Sequence, residues 1–130
     1  MRISIDSDDI TRLVVDLDKA VSRAPQEAAK VVEKGALNIK NDARRRVGGL
    51  RHAPAYPSTI TYDTSQGWRG PEAEIGPDKR RRQGALGNLI EFGSVHNPPR
   101  PHMIPAADAE LPRFERHMED LSVRLLQEGR

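Results

Sequence analysis

Apolar residues recur along this chain with two periods. Ile3 and Ile5 alternate with polar neighbours, so residues 2–5 predict a short strand. Ile10, Leu13, Val14, Leu17 and Val21 then recur at helical spacing behind Ser7-Asp8-Asp9. Side-chain oxygens there can satisfy free amides and acids suit the positive end of a helix, which predicts a helix over 8–23. Pro25 marks a restart. Ala28, Val32, Ala36, Ile39, Ala43 and Val47 predict a second helix over 26–47, closed by Gly48-Gly49. Ile60, Tyr62 and Thr64 alternate, as do Ala73 and Ile75, so 58–65 and 72–76 read as an antiparallel hairpin. Leu86, Leu89 and Ile90 give a short helix over 85–92, ended by Gly93. Ala107, Leu111, Phe114, Met118, Leu121 and Leu125 give a last helix over 105–127. Pro112 lies within it and predicts a kink or break near Glu110.

Two stretches lack either period. Residues 77–84 (PDKRRRQG) have no hydrophobic partner and are expected to form an exposed, mobile basic loop. Residues 97–104 belong to NPPRPHMIP, where closely spaced prolines exclude regular structure and predict an extended, stiff arm. The sum is an α+β domain spanning 1–130, with three main helices packed on a small antiparallel β-sheet.

Composition adds that the core is thin. Aromatic residues are 4% of the 130, and charged residues are 31% against a usual ~25%, a balance suited to a subunit that buries more surface on assembly. Net charge is only +2, yet Lys40, Arg44, Arg45, Arg46 and Arg51 stand against Asp42 alone, and Lys79, Arg80, Arg81 and Arg82 follow one another. Cys is absent, so disulfides and thiolate chemistry are excluded. The opening MRISIDSDD has no apolar run, and no stretch is long and apolar enough to span a membrane, so neither a secretory signal nor membrane association is expected.

No catalytic set stands out. There is no phosphate-binding G-x-x-x-x-G-K-[ST] and no G-x-S-x-G elbow. His52, His96, His102 and His117 lack acids or thiols at zinc-ligand spacing. Asp8/Asp9 read as helix-start acids and Glu119/Asp120 as a solvated helical face. The expectation is a protein without catalytic residues, cofactor or metal.

The basic clusters, Arg44, Arg45, Arg46, Lys79, Arg80, Arg81 and Arg82, admit three readings: solvated helix end and loop, phosphate contact without sequence preference, or pairing with acids on a neighbouring subunit. A stiff arm loses little freedom on docking, so Phe92, Pro98, Pro99, Arg100, Pro101 and Ile104 are candidates for contact with a partner.

One ordered series of residues resembles a known family. Glu91-Phe92-Gly93-Ser94, then Pro98-Pro99-Arg100-Pro101-His102 and Ile104-Pro105-Ala106, is similar to the E-F/Y-G-[ST]…P-x-R-P-F/H…P-A pattern of long-tailed bacteriophage proteins typified by gene product ten of phage Hong Kong 97. Upstream, Asn41-Asp42-Ala43-Arg44, the Ser58–Ile60 strand start and Ala73-Glu74-Ile75-Gly76-Pro77 extend the likeness over about residues 26–125. His102 replaces a common Phe, and the basic run at 79–82 is an insertion. The resemblance implies a virion structural protein at the head–tail junction, or neck: a tail-completion or connector ring subunit, six around the DNA channel. Its implied partners are further copies of itself, head-closure, tail-terminator and tail-tube proteins, and channel DNA. Its implied location is the virion, and the host cytoplasm during assembly. The alternative is a small DNA-binding protein without sequence preference that acts outside the virion.

Overall fold

The computed structural model describes residues 2–5, 13–16, 25–68 and 70–128. Its strands are β1 (Arg2–Ile5), β2 (Leu13–Asp16), β3 (Ile60–Gly67) and β4 (Gly70–Pro77); its helices are α1 (Pro25–Arg46), α2 (Gly87–Phe92) and α3 (Met103–Glu128). The strands form one antiparallel sheet in the order β1-β2-β4-β3, and the fold is α+β with helices packed on that small sheet.

The expected helix over 8–23 is corrected at its centre, where Leu13–Asp16 is a strand. Residues 8–12 and 17–23 lie outside the described ones. A short Leu-Val-Val run fits either period, and β-branched Val14 and Val15 favour extended backbone. The strand also gains ladders on both sides: Leu13 pairs with Ile5 and Ile75, and Val15 with Ile3 and Ala73.

The other boundaries move by a few residues. The hairpin is longer than expected, with Gly67 opposite Gly70, so its turn is tight. A single 3₁₀ turn, Gly84–Leu86, precedes α2, and α3 begins at Met103, which confines the irregular part of the arm to residues before it. Pro112 does not break α3. Proline removes the hydrogen bond to the carbonyl four residues back, but Pro112 and Asp108 are both on the exposed side, where water can satisfy that carbonyl.

The apolar stripe of α1 is buried from Ala28 to Ala43, and Val47 just beyond the helix continues it. On the sheet, Ala73, Ile75 and Ile60 meet this stripe in one core, together with Phe114, Met118 and Leu121 of α3. The small residues of α1 allow close approach: a Cβ on Gly35 would lie 3.0 Å from the Phe114 ring. Asn38 donates to both carboxylate oxygens of buried Glu110, at 3.1 and 2.9 Å. Asn38–Glu110, Gly35–Phe114 and Glu27–Arg124 run in opposite chain order, so α1 and α3 are antiparallel. The end of α1 and the start of α3 therefore share one pole of the molecule.

Candidate functional site

At that pole, the segment after α2 folds back on its own chain. Gly93 stands at φ +83°, and a Cβ there would come within 2.7 Å of the Pro99 nitrogen. Ser94 and Asn97 close a turn, the Arg100 amide donates to the Ile90 carbonyl at 2.7 Å, and the Arg100 guanidinium donates to the Gly48 carbonyl. Arg100 thus satisfies a carbonyl at the end of α1, where cations are favoured. Gly93→Ala meets both the unfavourable φ and the contact with Pro99, and should lower stability by about 1–3 kcal/mol, read by chemical denaturation.

Beneath the arm lies a fully buried polar cluster. The Glu91 carboxylate accepts the backbone amides of His102 (3.1 Å), Met103 (2.9 Å) and Ile104 (3.3 Å), so a side chain from α2 caps the N-terminus of α3. The His102 ring lies edge-on to Tyr56. Its Nδ1 is 3.0 Å from both Glu91 Oε1 and the Arg100 carbonyl. Both are acceptors, which places a proton on Nδ1; Nε2 then accepts from the Tyr56 hydroxyl at 2.7 Å when the ring is neutral. Burial, followed by the charge of Glu91, pushes the Tyr56 hydroxyl well above its ordinary pKa. Burial pushes the Glu91 carboxyl up, but hydrogen bonds from His102 and from the Met103 and His102 amides, with the His102 charge, outweigh it and leave it below its ordinary value. Tyr56 and His102 are 0% exposed and Glu91 2%, so this chain of groups is shielded from solvent. Its arrangement serves to cap and to fasten.

Above it, a groove of about 370 Å³ opens between the residues after α1, α2 and the arm. Its lining includes the apolar Leu50, Leu86, Leu89, Ile90, Pro98 and Pro99, together with Arg51 and Arg100. Leu89 is 54% exposed, and Phe92 and Val95 beside it are also largely exposed. A wider, polar depression of about 570 Å³ lies over β3, β4 and the basic loop. There Asp63 sits opposite Glu74 in the ladder, with Arg80 attracted to Asp63.

The cations expected to face DNA or an acidic partner are for the most part engaged within the chain. Arg44 donates to the Ile60 and Ser58 carbonyls at 2.9 and 3.2 Å, clipping α1 to the start of β3. Arg45 and Arg46 pair with Asp42, and Arg80 and Arg81 with Asp78. The hydrogen bonds from Arg80 hold the Asp78 carboxyl below its ordinary range. Lys79 and Arg82 are exposed on the same loop. That loop is tied at several points: the Asp78 amide donates to Thr59, Arg81 reaches Ser58, and the Gln83 side chain accepts the Ala55 amide.

Of the residues expected to contact a partner, Pro98, Pro99 and Arg100 line the groove, and Phe92 and Pro101 are exposed nearby. Ile104 is half-buried in the first turn of α3, with its amide on Glu91. Sequence reasoning missed Tyr56, the capping role of Glu91 and the groove itself. It also missed Val123 and Leu126, exposed by 53% and 65% near the far end of α3. No protein-family model, curated protein or solved structure matches this chain.

Proposed function

We propose that this chain is a non-enzymatic structural subunit of a bacteriophage virion, building a ring at the head–tail junction. In this reading it is a tail-completion or connector subunit at the head-proximal end of the tail, around the DNA channel. The observation that carries the proposal is the placement of exposed apolar surface. Leu89, Phe92 and Val95 lie at the pole where α3 begins, and Val123 and Leu126 near the other end of that 26-residue helix. At ~1.5 Å per residue the two surfaces are about 30 Å apart. A two-fold dimer needs one self-complementary patch, whereas a ring needs two different patches related by a rotation that closes.

The motif that resembles the phage family supports the same reading. Glu91 and His102 close the start of α3, Gly93 admits Pro99, and Arg100 closes the end of α1. The series that identifies the resemblance is therefore the one that builds this pole. The polypeptide partners in this reading are further copies and the neighbouring neck and tail proteins. A stop codon early in its gene should leave DNA-filled heads and finished tails unjoined in the lysate, restored by supplying the chain in trans. Joined, infectious particles made without it would overturn the proposal.

The DNA-binding alternative rests on the two basic clusters, where Arg45 and Arg46 share Asp42 and Arg80 and Arg81 share Asp78, so that part of the positive charge is met within the chain and part is left over. Fluorescence anisotropy with duplex DNA at ~50 mM salt should give a Kd weaker than about 10 µM for the isolated chain. Micromolar binding that collapses at ~200 mM salt would favour the alternative instead.

A further inference from the structure

We infer that the groove beside α2 is the seat for the far end of α3 from a second copy, with Val123 and Leu126 entering it. This rests on the ring-subunit reading and names the contact that would propagate the ring.

Shape and polarity match. The groove is concave, and Leu50, Leu86, Leu89, Ile90, Pro98 and Pro99 are among the residues that line it. Val123 and Leu126 are three apart on a helix, so they form one raised apolar edge. Glu119 lies four residues before Val123 on the same stripe, with Asp120 beside it; both are exposed.

Charge selects the pairing. The groove lining includes Arg51 and Arg100 and contains no carboxylate. Glu119 and Asp120 flank the apolar edge, while Arg124 in the same turn is engaged by Glu27 of its own α1. Groove against groove would set Arg51 and Arg100 facing their like, and edge against edge would do the same to Glu119 and Asp120. Only groove against edge brings opposite charges together, and like-charge contact of this kind suppresses wrong pairings. Because the groove lies at the pole where α3 begins and the edge near the far end of that helix, each copy presents one free groove and one free edge to the next.

The absence of cysteine makes this testable without background. Leu89→Cys and Leu126→Cys replace exposed side chains and should leave the fold unchanged. Purified separately, one with an affinity tag, the full-length variants are mixed and mildly oxidised, and the disulfide-linked dimers are resolved by mass. The contact predicts a mixed dimer at least tenfold more abundant than either like-with-like dimer, and a ladder from the double variant. Arg51→Glu in the groove variant should reduce the mixed product severalfold, and Glu119→Arg in the other should restore it. Predominant Leu89→Cys dimers, predominant Leu126→Cys dimers, or a mixed yield no higher than that of a Ser65→Cys control would each overturn the contact. Loss of the contact while the chain is still found at the head–tail joint would leave the ring reading standing; absence of the chain from that joint would remove the ring reading itself.

Discussion

Glu91→Ala should destabilise the protein by about 3–5 kcal/mol, the largest loss expected from any single polar side chain described here. The carboxylate is 2% exposed and is the shared acceptor for three backbone amides and the His102 ring. Removing it takes the acceptor from the buried His102 and Met103 amides and uncaps α3, while the His102 ring keeps only the Arg100 carbonyl on Nδ1. It also frees the arm, since His102 is held between Glu91 and Tyr56. For a domain whose whole stability is about 5–15 kcal/mol, such a loss brings the folded state close to its limit. Glu91→Gln keeps one acceptor oxygen and should lose less, about 1–3 kcal/mol. The pH dependence separates charge from shape. The Glu91 carboxyl lies below its ordinary value of 4.5 when folded, so its stabilisation is fully present above that pH and is lost as pH falls through the lower folded value. Denaturation of the wild-type chain should therefore become easier below about pH 4.5, and the Glu91→Gln profile should be flatter there. Asp78, also held below its ordinary value, leaves a residual slope in both.

Phe114→Ala should cost about 3–5 kcal/mol, because few bulky side chains share the core and this one fills the contact between α1 and α3. Its ring lies against Gly35, where even a methyl group would be 3.0 Å from the ring edge. Gly35→Leu alone should also destabilise, by about 1–3 kcal/mol, through overpacking. In the double variant the leucine can occupy part of the vacated space, so the two losses should sum to less than their separate values. Urea denaturation of the four chains closes this cycle. Strict additivity would mean that Gly35 and Phe114 do not share a contact.

The stripe of α1 was legible in sequence because Ala28 to Val47 repeats cleanly at the helical period and the helix is long enough to make that period unambiguous. Leu13–Asp16 was not, because four residues carry too little periodicity and the partners that hold them extended, Ile3, Ile5, Ala73 and Ile75, come from elsewhere. The pairs of Arg45 and Arg46 with Asp42 are readable from their three- and four-residue spacing. The turn of Arg44 toward Ser58 and Ile60 depends on how α1 meets the hairpin. Glu91 was visible as a motif letter, but its task is set by amides 11 to 13 residues away, at and just before the start of a different helix. The groove is assembled from three separate stretches after α1, in α2 and in the arm, so no local pattern announces it. The proline-rich arm illustrates the same limit: its stiffness follows from composition, whereas its fastening to Ile90, Gly48 and Glu91 follows only from the fold.

The proposed place at a virion neck is best tested by position. On that proposal, gold-labelled antibody against this chain, applied to intact particles of a bacteriophage whose genome carries its gene, should mark the junction of head and tail in a single band. Particles in which antibodies to other neck and tail proteins label their joints, but this chain is absent from the junction, would contradict the proposal.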